Sequence, residues 1–112
     1  MRAIYINTAE RTAEVIDFTG DFQDIQRLLG VDCFTCVGLD NGGDTLYVDD
    51  EGLFKENDFF SIDEYPEPLA GNGLILGTDL ETGETVSAIM DMPKNLKFMS
   101  RNELLAMMDY YR

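Results

Sequence analysis

Cys33-Phe34-Thr35-Cys36-Val37-Gly38-Leu39-Asp40-Asn41-Gly42-Gly43-Asp44-Thr45-Leu46-Tyr47-Val48-Asp49 sets a turn between two strand-like runs. Asp40-Asn41-Gly42-Gly43-Asp44 is the turn, because Asn and Gly tolerate the positive φ that tight hairpins demand. Cys33 to Leu39 enters it, Thr45 to Asp49 leaves it with apolar and polar residues alternating, and Asp50-Glu51-Gly52 closes the return strand. This central hairpin points to an antiparallel sheet.

The same pattern recurs on both sides. Ala3 to Asn7 and Thr12 to Phe18 are strand-like runs around the polar turn Thr8-Ala9-Glu10-Arg11. Leu74 to Thr78 is a short apolar strand, and Glu81-Thr82-Gly83-Glu84 turns it back into Thr85 to Ile89. Between the first two hairpins, Phe22, Ile25, Leu28 and Leu29 fall at helical spacing. Asp21 and Asp24 suit the first turn, and Gly30 suits the stop. Ser100-Arg101-Asn102-Glu103 fits a capping box, and Leu104, Leu105, Met107, Met108 and Tyr111 give its helix a broad apolar face. Residues 53 to 72 read as irregular, with one helical turn near Lys55 to Phe60 and an extended loop at Tyr65-Pro66-Glu67-Pro68. The expected fold is α+β: a small antiparallel sheet of hairpins, covered on one side, packed with two short helices, one after the first hairpin and one at the C-terminus.

At 112 residues and 45% hydrophobic, the chain suffices for one domain spanning residues 1–112 with its own core. Seven Phe and five Tyr separate it from a disordered acidic tail. Met1 to Asn7 leads at once into charged residues, with no leader-like apolar run, so the expected setting is the cytoplasm, with no membrane contact. Two cysteines there are expected to be reduced thiols.

Charge is the strongest functional signal. Net charge is −14, and it sits in the middle of the chain. Between Leu28 and Pro93 stand fifteen carboxylates and one basic residue, Lys55. After Pro93 the sign reverses, with Lys94, Lys97, Arg101 and Arg112 against Glu103 and Asp109. Direct nucleic-acid binding is not expected, because phosphate contacts need cations. The absence of histidine excludes Ser-His-Asp and Cys-His catalysis and any His-ligated zinc site within the chain.

Candidate sites each carry a plain alternative. Cys33-Phe34-Thr35-Cys36 is a CxxC motif. Redox cysteines of this spacing open a helix. In a strand, residues three apart face opposite ways, so one thiol is expected in the core and the other on the opposite face. Asp40 to Glu51 spans twelve residues with acids at positions 1, 5 and 12, like a calcium loop. Gly42 occupies position 3, however, and Thr45 stands where the loop needs glycine. Asp49-Asp50-Glu51 and Asp63-Glu64 could pair for acid–base chemistry, although adjacent acids in turns are usually exposed. Tyr65 to Pro68 could be a polyproline ligand or a stiff connection. Met107-Met108 and Tyr110-Tyr111 could form a homodimer face on the C-terminal helix, or pack on the core.

The acids themselves suggest a basic partner. Over the ~30 Å face of a domain this size, duplex DNA presents on the order of 18 phosphates. Fourteen excess negatives approach that density. The expected function is therefore a non-enzymatic interaction protein and, more narrowly, a nucleic-acid mimic that inhibits a host DNA-binding or defence protein. Its contact residues would be Asp40, Asp44, Asp49, Asp50, Glu51, Asp63, Glu64 and Glu67, with no cofactor and no catalytic residue. Charge reversal at Asp49, Asp50 and Glu51 is expected to abolish binding and leave the fold intact. The alternatives are a divalent-cation module at Asp40–Glu51, or acidity that serves solubility alone.

Ile25-Gln26-Arg27-Leu28-Leu29-Gly30, Leu46-Tyr47-Val48-Asp49-Asp50-Glu51-Gly52-Leu53-Phe54-Lys55 and Leu69-Ala70-Gly71-Asn72-Gly73-Leu74-Ile75-Leu76-Gly77 follow one another in an order that resembles domain of unknown function 3846. The resemblance covers roughly residues 24–88. It implies a phage, plasmid or other mobile-element setting in bacteria, and it supplies no activity and no catalytic residues.

Overall fold

The computed structural model describes residues 1–52, 55 and 57–110, with the backbone alone for residues 108–110. It contains β1 (Arg2–Asn7), β2 (Thr12–Asp17), α1 (Phe22–Leu29), β3 (Phe34–Gly38), β4 (Asp44–Asp49), β5 (Phe59–Ile62), β6 (Tyr65–Ala70), β7 (Gly73–Thr78), β8 (Thr85–Val86), β9 (Lys97–Met99) and α2 (Arg101–Tyr110). The strands form two antiparallel sheets. The larger runs β2-β1-β7-β4-β3, with β8 on β7 as well, and the smaller runs β6-β5-β9. The fold is α+β.

β7 sits at the centre because its sequence is apolar without interruption, which suits a strand covered on both faces. Ile75 pairs with Ile4 on one side and Leu46 on the other, a row that faces the smaller sheet. Leu74 lies between Tyr5 and Tyr47, a row that faces α1. The sheet is thus covered on both sides rather than one. Phe60 of β5 closes the interface between the sheets, and Gly73 admits it. A Cβ at Gly73 would lie 2.8 Å from the Phe60 ring and 3.1 Å from Leu46.

The helix α1 begins and ends where its residues require. The Asp21 carboxylate accepts the Gln23 amide at 2.9 Å, and Gly30 adopts the left-handed conformation at φ 70°. Ile25 and Leu29 are buried, whereas Phe22, which shares their helical spacing, is exposed and stacks on Phe34 at 6.3 Å.

The irregular reading of residues 53 to 72 is wrong for β5 and β6. Leu53, Phe54 and Glu56 lie outside the described residues, but Phe59 and Phe60, expected in a helical turn, are in β5. Tyr65-Pro66-Glu67-Pro68 is part of β6, an edge strand. Proline is tolerated there because an edge leaves one row of amides without a ladder partner. The prolines also fall in an irregularity: between the pairs Phe60↔Leu69 and Ile62↔Tyr65, Ser61 stands opposite Pro66-Glu67-Pro68.

The capping box forms as expected. Ser100 Oγ accepts the Glu103 amide at 3.1 Å, and Glu103 returns to the Ser100 amide at 3.4 Å. Of the described side chains on the broad apolar face, one packs and two do not. Leu104 lies against Phe59, Ala70 and Met99, and the Arg101 guanidinium sits 5.3 Å from the Phe59 ring centre, but Leu105 and Met107 are exposed. The Met108 and Tyr110 side chains, and all of Tyr111, lie outside the described residues.

Candidate functional site

β4 carries a carboxylate at each end, and the acids predicted as contacts sort around it. Asp44 opens the strand and Asp49 closes it, about 17 Å apart at the antiparallel rise. The stretch Asp40 to Glu51 is therefore a hairpin turn plus an extended strand, with Asp40 and Glu51 beyond opposite ends. Among the described residues no group of three or more acids or cysteines is placed to hold a metal.

Asp44 is not on the surface. It is 2% exposed, which corrects its assignment as a contact residue. Its Oδ1 accepts the Ile89 amide at 2.7 Å, and its Oδ2 accepts the Met90 amide at 2.9 Å and the Asn41 side-chain amide at 2.6 Å. Buried carboxylates persist when several donors converge on them, and here two of the three donors come from a segment about 45 residues away. Around this end stand the exposed Asp40, Asp63 and Asp91 and the half-buried Glu64. The turns are tied together: the Asp40 amide donates to the Glu64 carbonyl at 3.0 Å, and Glu64 Oε1 accepts the Lys94 amide at 3.1 Å. Asp63 Oδ2 accepts the Asn95 side-chain amide at 2.6 Å. Together with Ile89, Met90 and Met92 these residues line a groove of about 520 Å³.

The other end is built differently. The Asp49 side chain is 5% exposed and meets Lys55 Nζ at 2.9 Å, while Oδ1 accepts the Glu51 amide at 2.9 Å. Hydrogen bonding to Asp49 raises the Lys55 pKa above its ordinary 10.5. Asp49 is therefore a structural partner, and the fold would not survive its charge reversal unchanged. Asp50 and Glu51 remain exposed. Beside them a cleft of about 330 Å³ lies between the end of α1, Asp49, Lys55 and the β6–β7 turn. Much of its polar lining is already engaged within the protein. The Thr8 hydroxyl donates to the Gly71 carbonyl at 2.6 Å, Asn72 accepts the Thr8 amide at 2.9 Å, and Asn57 donates to the Gly52 carbonyl at 3.1 Å. Asn72 also donates to the Tyr5 hydroxyl, which itself donates to the Leu28 carbonyl. Burial raises the Tyr5 pKa, opposed by the Asn72 bond and reinforced by Glu10 and Glu14. The three segments that carry the family resemblance meet in this junction, so they act there as joints of the fold.

Glu67 is exposed on β6, apart from both ends. Both cysteines are free and exposed at the β3 edge, so neither thiol is in the core. Sequence reasoning missed Ile89 and Met92, which are exposed in an unpaired segment, and Arg2, which holds that segment. Asp91 was visible only as one acid among fifteen. No helix among the described residues is long and apolar enough to cross a membrane.

A family model described as Domain of unknown function (DUF3846) matches residues 1–98. The match is wider than the resemblance read from the sequence, and it stops short of α2. No curated protein and no solved structure matches the chain.

Proposed function

We propose, from the premise that the chain belongs to the DUF3846 family, that it is a non-enzymatic interaction protein whose exposed carboxylates engage a basic protein surface. One observation carries this reading. Of the described carboxylates between Leu28 and Pro93, Asp44 is enclosed by hydrogen-bond donors and Asp49 is enclosed in an ion pair with Lys55. The rest stand in or near solvent with almost no cation beside them, on a body with a long axis of 43 Å. Such a field repels itself and weakens the compact state, while it accelerates encounter with a basic cleft. A cleft that accepts the phosphates of duplex DNA offers the matching charge, so the partner class is a DNA-binding protein and the mode is mimicry of a polyanion.

The test is competition. Duplex DNA bound to a panel of proteins with basic clefts is titrated with the chain at increasing salt. The expected result is displacement of DNA from at least one member, with log affinity falling linearly with log salt. Replacing Asp40, Asp63, Asp50 and Glu51 by lysine should abolish displacement. Retention of DNA by every member, or displacement unchanged by the replacements, would overturn the proposal.

A further inference from the structure

Between β8 and β9, Ala88 to Lys94 forms no helix or strand, yet its backbone is held from three sides. Buried Asp44 accepts the Ile89 and Met90 amides. The Arg2 guanidinium donates to the carbonyls of Ala88 at 3.0 Å, Met90 at 2.5 Å and Asp91 at 2.8 Å. Glu64 accepts the Lys94 amide, and Pro93 is buried. An unpaired segment ordinarily leaves its backbone to water and turns its apolar side chains inward. This one encloses polar backbone and turns Ala88, Met90 and Pro93 inward, yet displays Ile89 and Met92. Ile89 is 67% exposed and Met92 is 40% exposed.

Single exposed apolar residues are common and mean little. These two lie on one pinned segment, over a groove lined by the four acids Asp40, Asp63, Glu64 and Asp91 against one cation, Lys94. We infer that this groove is a preformed docking site for a basic protein segment that sets an aliphatic side chain beside a lysine or arginine. The aliphatic group covers Ile89 and Met92, and the cation faces the three aspartates. Because the segment is already ordered, binding does not bear the cost of ordering it. Charge complementarity selects the occupant: a second copy of this chain would bring another net −14 against the rim. The inference rests on the proposed basic partner, and it narrows the contact to one end of β4 and adds an apolar requirement.

The probes are three synthetic peptides: alternating arginine and leucine, lysine alone, and alternating serine and leucine. Each is titrated into the isotopically labelled chain and followed by amide chemical shifts. The arginine–leucine peptide should shift Asn41, Ile89, Asp91 and Met92 and bind about tenfold more tightly than oligolysine. The double variant Ile89→Ser, Met92→Ser should reduce it to the oligolysine level without disturbing other amides. Asp50→Lys with Glu51→Lys should leave it unchanged. Shifts spread over both acidic ends and indifferent to the serine variant would overturn the docking site and leave the basic partner standing. Equal binding of the serine–leucine peptide, or no binding of either cationic peptide, would overturn both. Concentration-dependent shifts of these amides in the free chain would identify a second copy as occupant and overturn the inference.

Discussion

The two ends of β4 begin from the same chemistry and put it to opposite uses. At Asp49 the carboxylate is neutralised by Lys55, and the neighbouring cleft is a seam of hydrogen bonds from Thr8, Asn57 and Asn72. None of its described lining side chains is a large exposed apolar one. At Asp44 the carboxylate has no cation and is satisfied by backbone and amide donors, which fix the 88–94 segment in place. What lies outside it is exposed aliphatic surface and four acids against the single cation Lys94. The difference teaches that charge density alone does not locate a contact. A carboxylate that is answered within the fold stabilises the fold, and one that is unanswered is available to a partner.

Substitutions can break this contrast. Asp44→Ala should have the largest effect, costing about 3 kcal/mol, because it removes charge-assisted bonds and leaves buried donors without an acceptor. Chemical denaturation measures it, and a cost under about 1 kcal/mol would mean that the segment is not held as described. Asp49→Ala should cost less than Asp44→Ala, since Lys55 is exposed and recovers its hydration.

The Lys55 pairing also predicts a pH dependence. Its folded pKa lies above 10.5, so the paired state contributes fully below pH 10.5 and is lost as pH rises through the higher folded value. Melting temperature should therefore fall on the alkaline side, and Asp49→Ala should remove that component. The smallest effect on stability belongs to Asp40→Lys and Asp91→Lys, each within about 0.5 kcal/mol of the parent, because both side chains are exposed. A large loss at either would place it with Asp44 instead.

Much of the fold was legible because its signals are local. The Asp40–Asp44 turn, the Gly30 stop and the Ser100–Glu103 box each depend on a few adjacent residues, and each formed; Asp21, read into the first turn, is the residue that caps it. β6 was hidden because prolines argue against a strand unless it is known to lie at an edge, and edge position is a property of the assembled sheet. β9 is three residues long, too short to show alternation. The candidate site was legible as charge and illegible as geometry. An aspartate beside a glycine turn ordinarily faces solvent, and nothing near Asp44 announces that amides 45 residues later will enclose it. Ile89 and Met92 are likewise informative only once their segment is seen to be pinned.

The most direct test is native-state hydrogen exchange at the Ile89 and Met90 amides. Neither is part of a sheet ladder, yet both donate to a buried carboxylate. They should exchange as slowly as amides of β4, and in Asp44→Ala they should become fast while β7 stays protected. Exchange at unprotected rates in the parent chain would contradict a preformed display and remove the structural basis for docking at this end.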